Sequence, residues 1–156
     1  MTIDDLPQSA KNQNVNAFLH AIRLGEGTSD AAGYYRIVGG GHFTDASKHP
    51  NQRIYIARYG VYSTAAGAYQ IISSTWYGLV KQYGFPAFTP EYQDLGAIGL
   101  IVECHAIDDV ISGNLQDAIR KCAPIWASLP GSKAGQRTEK YADVENEFIK
   151  NGGVLA

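Results

Sequence analysis

Residues 15–28 read VNAFLHAIRLGEGT, and this stretch decides how the first half of the fold begins. Its large apolar residues recur at the i, i+3, i+4 and i+7 positions of one helical face. They are Val15, Phe18, Leu19 and Ile22. Asn14 or Asn16 can cap the start of the predicted helix, and Gly25 and Gly27 are expected to end it.

Glu26 continues the apolar stripe of this helix, because it lies four residues after Ile22 and seven after Leu19. A carboxyl group at the core-facing end of a helix is partly desolvated, which raises its pKa and suits it to general acid catalysis near neutral pH. A solvated helix end or a structural pairing partner is the more common role of such a Glu. The pattern alone therefore makes Glu26 a candidate and no more.

Outward from this helix the sequence changes character twice. From Thr28 to Tyr62, glycines separate short β-branched and aromatic runs at 34–38 and 53–56, which predicts a small irregular β-hairpin region. After Gly67 helical periodicity returns. Candidate helices start at Ser73 or Ser74, at Thr89-Pro90 and at Asn114, the last of these being interrupted at Pro124. A further helix closes the chain and stops at Gly152. This order predicts an α+β fold.

Residues 63–71 read STAAGAYQI and are typical of a groove floor. Small side chains starting at Ser63 leave room for a ligand, and the Gln70 amide offers a donor and an acceptor to a sugar hydroxyl or acetamido group. Tyr69 can stack on a pyranose ring or donate a hydrogen bond. The alternative, which the pattern by itself favours, is a tight junction before a helix, with Tyr69 in the core and Gln70 at the surface.

Residues 37–50 read IVGGGHFTDASKHP and contain three successive glycines. They lack the GKS/T ending and the strand-to-helix setting of a phosphate-binding loop. His42, Asp45 and His49 have a spacing that could hold a metal, but a glycine-rich hairpin without helical support makes hydrogen-bonding roles more plausible. Asp45 is expected to brace the hairpin by accepting backbone hydrogen bonds. No metal site and no cofactor are expected.

The 156 residues suit one domain, and a formal charge of −2 does not indicate binding to nucleic acid or to an anionic membrane. No apolar run approaches the roughly 20 residues that span a bilayer, so no membrane insertion is expected. The first 14 residues, MTIDDLPQSAKNQN, lack the apolar core of a signal peptide, which predicts synthesis in a cytoplasm. Cys104 and Cys122 are expected to be reduced thiols, with a disulfide between them as the alternative.

Several segments together resemble the phage lambda-type endolysins, which are lytic transglycosylases. The matching segments occur in order from about Asn14 to Gly153. They are Ala17-Phe18-Leu19, Glu26-Gly27-Thr28, Gly33-Tyr34, Ile37-Val38-Gly39-Gly40, Phe43-Thr44-Asp45, His49-Pro50, Ser63-Thr64, Ala66-Gly67, Tyr69-Gln70 and Ile125-Trp126-Ala127-Ser128-Leu129-Pro130-Gly131. The resemblance implies a lysozyme-like fold with a mostly helical lobe, a small β-hairpin lobe and a cleft between them. Residues 14–156 would form this catalytic domain, preceded by a flexible extension over residues 1–13.

The resemblance also implies an activity and its residues. The family cleaves the β-1,4 bond between N-acetylmuramic acid and N-acetylglucosamine in peptidoglycan glycan strands without water, leaving 1,6-anhydro ends. Glu26 corresponds to the catalytic Glu. The expected substrate-binding residues are Tyr69, Gln70, Tyr35 and Ser63, and the residues expected to support the cleft are Thr44 and Asp45. The enzyme would act as a monomer, made in the host cytoplasm and released to the periplasm and cell wall by a holin pore.

Two positions depart from the family pattern. The lambda-type pattern has an acid after Gly-Tyr and another after the Gly-Gly pair, where this chain has Tyr35 and Gly41. Hydrolytic phage lysozymes also carry an acid about nine residues after the catalytic Glu, at the place of Tyr35. Hydrolysis needs a second carboxylate, so its absence there favours transglycosylation. The alternatives are a hydrolytic muramidase acting on the same bond and a cell-wall-binding domain without turnover.

Overall fold

Residues 1–131 and 139–156, the part of the chain that the computed structural model describes, combine seven α-helices with one two-stranded sheet. The helices are α1 (Leu6–Ala10), α2 (Gln13–Glu26), α3 (Ser73–Tyr83), α4 (Pro90–Glu103), α5 (Ile107–Ser112), α6 (Leu115–Cys122) and α7 (Tyr141–Lys150). The strands are β1 (Ile54–Ile56) and β2 (Val61–Ser63), and Ala31–Tyr35 forms a short 3-10 helix. The predicted α+β class is confirmed. Among the described helices, none combines the length and apolarity needed to cross a bilayer.

Helix α2 ends where its glycines predict but begins earlier than expected. Asn12 is its N-cap, because its side-chain oxygen accepts hydrogen bonds from the backbone N–H groups of Asn14 and Val15. Asn14, predicted as a cap, instead clamps the C-terminal tail, with its amide donating to the Val154 carbonyl and accepting from the Val154 N–H. At the other end Gly27 takes the left-handed conformation, with φ of 71°, that stops the helix.

Residues 1–13, predicted as a flexible extension, contain a short helix in their second half. Residues 6–10 form α1, which packs against α4, and the side chain of Leu6 is fully buried. The sequence has a single large apolar residue in this helix, followed by Pro7 in its first turn, so it offers no periodicity to detect. This segment is stabilised by the burial of Leu6 in the core of the helical lobe and not by local helix propensity.

The hairpin lobe has less regular structure than its sequence predicts. Strands β1 and β2 are antiparallel, with Tyr55 opposite Tyr62. The predicted strand at 34–38 is not formed: its first half belongs to the 3-10 helix, and Ile37 makes only an isolated bridge to Ala66. The chain reverses immediately afterwards through Gly39, whose φ is 89°, so there is no room for a longer ladder.

The helical lobe is built around α4. Trp76 of α3 packs edge-on against Phe88, with 4.7 Å between the ring centroids, and a Cβ on Gly96 of α4 would lie 2.6 Å from the Trp76 ring. Glycine in α4 therefore lets α3 approach closely. The helical run predicted over 114–126 is formed only by α6, which stops two residues before Pro124. After α6 the chain returns toward the end of α2, which completes the floor of a cleft.

Candidate active site

A cleft of about 350 Å³ lies between the hairpin lobe and the helical lobe. Three parts of the chain meet in it: the last residue of α2, the β1–β2 hairpin with its flanks, and the loops before α3 and after α6. Its main lining residues are Glu26, Ile56, Ser63, Gln70, Ile125 and Ala127. Among the described residues that line it, Glu26 is the acidic one. The described lining of the cleft thus presents one carboxyl group among otherwise uncharged side chains.

Glu26 is held half-buried at the end of α2. Burial raises its pKa from 4.5 to about 7, and a hydrogen bond from the Ser128 hydroxyl opposes that rise by stabilising the carboxylate. Ser128 Oγ lies 3.1 Å from Glu26 Oε1. Gly25 makes this approach feasible, because a Cβ there would stand 2.5 Å from Ser128 Oγ. Near neutral pH the group can therefore both donate and accept a proton.

Replacing Ser128 by Ala is expected to move the alkaline limb of the activity profile to higher pH. The variant removes a hydrogen bond that favours the ionised form of Glu26, so the pKa of this acid rises further and its protonated form persists at higher pH. The check is the rate of turbidity loss of permeabilised cells measured across pH 5 to 9. Ser112→Ala, on the surface of α5, is the control, and an unmoved limb in Ser128→Ala would contradict the assignment.

Tyr69 does not line the cleft that contains Glu26. Its side chain is only 2% exposed, and its hydroxyl donates to Asp94 Oδ1 at 2.6 Å. Its backbone carbonyl accepts a hydrogen bond from Trp126 Nε1 at 3.0 Å. This geometry does not support the predicted direct contact with substrate, because the side chain is buried and its hydroxyl is bound to Asp94. The alternative weighed from the sequence, a core Tyr beside a surface-facing Gln, describes the pair correctly.

Gln70 and Ser63 do border the cleft. Gln70 has an unusual backbone φ of 48°, and its amide nitrogen donates to the carbonyl oxygens of Gly67 at 2.9 Å and Arg36 at 3.3 Å. Within the described residues no hydrogen bond uses its amide oxygen, which leaves an acceptor for a ligand. Ser63 Oγ accepts from the Ala65 N–H at 3.2 Å and keeps its own proton available.

Tyr35, Thr44 and Asp45 lie outside the cleft. The Tyr35 ring is half-buried against Phe43, with 5.5 Å between centroids, so the expected contact with a sugar is not supported. Asp45 Oδ1 accepts a hydrogen bond from the Ser47 N–H at 2.9 Å, which closes a local turn. Thr44 is exposed beside it in a separate surface depression, away from the cleft it was expected to support.

His49, one of the two histidines whose spacing could hold a metal, has a structural role. His49 is buried, its Nε2 lies 2.8 Å from the Ile71 carbonyl, and its Nδ1 accepts from the Asn51 N–H at 3.0 Å. Both ring nitrogens are therefore used within the hairpin lobe. In the described part of the chain, no group of three or more His, Cys, Asp or Glu side chains is placed to hold a metal ion.

Behind the cleft lies a polar network that sequence reasoning missed. Asp94 of α4 accepts hydrogen bonds from the hydroxyls of Tyr34, at 2.9 Å, and Tyr69. Burial raises the pKa of Asp94, while the two hydroxyl bonds lower it. The Arg23 guanidinium stacks 4.5 Å above the Tyr34 ring and donates to the Thr28 carbonyl. This network joins α2, the 3-10 helix and α4 beneath the residues that form the groove.

Ser128 and Asp94 differ in how far the sequence could point to them. Ser128 lies within the Ile125–Gly131 block that carries the resemblance. The resemblance therefore identifies this segment as part of the family pattern, but it does not predict that Ser128 binds Glu26. Asp94 looks like an ordinary charged residue on a helix, and nothing local marks it as buried. Only the packing of α4 against the hairpin lobe brings it to two tyrosines.

Comparison with known proteins agrees with this geometry. A family model described as Endolysin matches residues 16–155. The endolysin of Escherichia phage lambda is 37% identical over 150 residues, covering 92% of this chain and 94% of that protein. The endolysin of Escherichia phage P2 is 38% identical over 165 residues, covering 97% and 100%.

Solved structures show the same similarity. The bacteriophage lambda lysozyme complexed with a chitohexasaccharide superposes with a TM-score of 0.87 at 36% identity, covering 93% of this chain and 97% of that one. A second structure of lysozyme from bacteriophage lambda gives a TM-score of 0.84 at 35% identity, with the same coverage. The lysozyme-like fold and the phage relationship are thereby confirmed. The chain belongs to the endolysin family, whose lysozyme-like members degrade bacterial peptidoglycan.

Proposed function

We propose that this endolysin cleaves the β-1,4 bond between N-acetylmuramic acid and N-acetylglucosamine by transglycosylation, with Glu26 as both acid and base. The observation that carries the proposal is a half-buried carboxyl group, with a pKa of about 7, in a cleft whose other described lining residues are not acidic. The related lambda lysozyme has been solved with a chitohexasaccharide, which supports a glycan strand as the occupant of the corresponding cleft here.

The proposed reaction needs one proton donor that becomes a proton acceptor. Protonated Glu26 donates to the glycosidic oxygen as its bond to C1 of the muramic acid breaks, which releases the N-acetylglucosamine hydroxyl. The resulting carboxylate takes the proton of the muramic acid C6 hydroxyl as that oxygen bonds to C1. The products are a 1,6-anhydro end and a free hydroxyl, no water is consumed, and Glu26 regains its proton.

The half-burial of Glu26 matches both halves of this cycle. A carboxyl group whose pKa lies near the working pH is populated in both forms, so neither proton transfer is strongly uphill. Gln70 borders the same cleft with a free amide oxygen, which suits it to position a sugar hydroxyl or the N–H of an acetamido group. We assign Gln70 as the positioning residue of this site.

The alternative function is hydrolysis of the same bond, which requires a second carboxylate roughly 5 to 9 Å from the first. Asp30 is exposed and paired with Arg36 at 3.3 Å, and Asp94 is engaged by two tyrosine hydroxyls behind the cleft. Glu139 comes close to the site, because its N–H donates to the Ser128 carbonyl at 2.8 Å. Its replacement therefore belongs in the test that separates the two reactions.

Mass spectrometry of digested peptidoglycan provides that test. We expect the wild-type protein and Glu139→Gln both to release anhydro-muropeptides, because Glu26 performs both proton transfers. Products heavier by one water molecule, with reducing ends, would refute transglycosylation. If those products disappeared in Glu139→Gln, the second carboxylate of a hydrolytic muramidase would be identified at the same time.

The enzyme must also reach its proposed substrate. Peptidoglycan lies outside the cytoplasmic membrane, and we propose that a holin pore releases the enzyme from the host cytoplasm to it. The support is the family relationship to the phage endolysins.

A further inference from the structure

The β1–β2 hairpin exposes side chains that the proposed reaction does not use. Tyr55 and Tyr62 stand opposite each other across the two strands, with 5.2 Å between their ring centroids. They are 55% and 59% exposed, which is unusual for an aromatic pair in a folded protein. Tyr59, in the turn between the strands, is also exposed. These rings form an aromatic surface outside the core.

Arginines accompany these rings. The Arg53 guanidinium lies 4.5 Å from the centroid of the Tyr62 ring, and that of Arg58 lies 5.5 Å from the centroid of Tyr59. Both arginines are exposed. Stacking holds each cation beside a ring while leaving its N–H groups free for an anion. We call Arg53, Tyr55, Arg58, Tyr59 and Tyr62 the Tyr–Arg face.

The charge of this region differs from that of the whole chain. Residues 46–90 contain four basic residues and no acidic one, whereas the complete chain has a formal charge of −2. The hairpin is therefore a positive region on a protein that is otherwise acidic. Such a region attracts anionic partners, and the exposed rings select partners that also offer apolar or C–H surface.

The Tyr–Arg face is continuous with the catalytic cleft. Tyr59 and Tyr62 border the same cleft that contains Glu26, so a polymer held there extends past the hairpin. Peptidoglycan has both features that this face would recognise. Its peptide stems carry carboxylates, and they branch from the muramic acid residues of the glycan strand being cut.

We propose that the Tyr–Arg face binds the carboxylate-bearing peptide stems of peptidoglycan beside the cleft. This inference rests on the proposed function, because it takes the occupant of the cleft to be a peptidoglycan strand. Arg53 and Arg58 would pair with stem carboxylates, while the tyrosine rings would pack against the stem and the adjoining sugar. The hairpin would then favour wall polymer that carries stems over bare glycan.

The test measures binding of a catalytically inactive parent, Glu26→Gln, to purified sacculi by co-sedimentation. One variant adds Arg53→Gln and Arg58→Gln, which removes the charges and keeps the rings. A second adds Tyr55→Ser. The matched control adds Tyr77→Ser and Lys81→Gln, which removes an exposed ring and a charge from α3 in the same basic segment. Each protein is tested on intact sacculi and on sacculi whose stem carboxylates have been converted to amides with a carbodiimide and ammonia.

We expect the double arginine variant to bind intact sacculi roughly tenfold more weakly than the parent, since each exposed ion pair contributes up to about fivefold. Tyr55→Ser should weaken the same binding by a few fold, and the control should bind like the parent. On amidated sacculi the parent and the double arginine variant should bind equally, because the stem carboxylates are no longer charged. Thermal unfolding of each variant checks that the hairpin substitutions leave the fold intact.

Three outcomes would overturn the inference. The first is equal binding of parent and arginine variant to intact sacculi, and the second is an equal loss of binding on intact and amidated sacculi. The third is an affinity that depends on the arginines for vesicles of phosphatidylglycerol and phosphatidylethanolamine but not for sacculi, which would make the face a membrane contact. If the parent bound neither form of sacculus, the proposed function would fail as well, whereas the first three outcomes leave it standing.

Discussion

Glu26→Gln is expected to lower the rate of cell-wall lysis by about 10²- to 10⁴-fold, the usual contribution of a general acid. The amide has nearly the same shape as the carboxylic acid, but it cannot donate its proton to a glycosidic oxygen or accept one afterwards. Ser128 Oγ can still donate to the amide oxygen, as it does to Glu26 Oε1 at 3.1 Å. The change therefore removes the chemistry and retains the local contacts.

Turbidity loss of permeabilised cells and binding to sacculi, measured side by side, check this expectation. The variant should bind sacculi like the wild type and unfold at a similar or higher temperature. Glu91→Gln is the control, because Glu91 lies exposed in the first turn of α4, away from the cleft. Lysis by Glu26→Gln at a wild-type rate would remove Glu26 from the mechanism and leave a different group to be found.

The same substitution has a consequence for stability that depends on pH. The pKa of Glu26 is about 7 in the folded protein and close to 4.5 in the unfolded chain. Between these values the folded state holds the proton more strongly, so the free energy of unfolding falls as pH rises from about 4.5 to 7. Ionisation of Glu26 should cost up to about 3 kcal/mol of stability above pH 7.

Glu26→Gln lacks this ionisation, so its stability relative to the wild type should increase over that pH range. Urea denaturation of both proteins at pH 4.5 and pH 8 gives the difference, in which the other titrating groups cancel. A constant difference between the two proteins would mean that the carboxyl group is solvated, and it would remove the physical basis for its role as an acid at neutral pH.

Gly33→Ala is expected to destabilise the protein by about 3 kcal/mol, at the upper end of what overpacking usually costs. A Cβ at Gly33 would overlap the carbonyl oxygen of Thr28 and stand 2.9 Å from its Cα. Neither atom can move freely, because Thr28 is buried and its carbonyl accepts two hydrogen bonds from the Arg23 guanidinium, at 3.0 and 2.6 Å. The clash therefore strains the end of α2.

Equilibrium urea denaturation of Gly33→Ala measures this cost, with Gly78→Ala as the matched control. Gly78 lies within α3 and a Cβ there would meet no atom within 4 Å, so the control should be stabilised by about 0.5 to 1 kcal/mol through helix propensity. A loss of less than 1 kcal/mol in Gly33→Ala would show that the loop after α2 adapts, and that its tight packing does not hold Glu26 in place.

Much of the fold followed from local patterns. The apolar stripe through Val15 and Ile22 and the paired glycines placed α2 and its end, because helical periodicity and a left-handed C-cap are properties of neighbouring residues. A segment ordered by longer contacts was missed. Leu6 lies in a segment without periodicity, and only its burial against the helical lobe reveals α1.

In the candidate site, too, the sequence predicted residue types but not which side chains face the cleft. Tyr69 and Gln70 are adjacent, and their types suit either a core or a groove. A left-handed backbone at Gln70 leaves its side chain at the cleft, while hydrogen bonds from Trp126 and to Asp94 keep Tyr69 inside. These partners come from α4 and from the loop after α6, so the sequence of this pair alone could not separate the two roles.

For Glu26, the sequence and the tertiary structure determined different properties. The sequence by itself put a carboxyl group at the core-facing end of an amphipathic helix, since side-chain direction along a helix follows from spacing. Its pKa of about 7 and its partner were decided by tertiary structure alone. Desolvation depends on what covers a group, and here Ser128, 102 residues away along the chain, approaches Glu26 over Gly25 beside the cleft that the hairpin also lines.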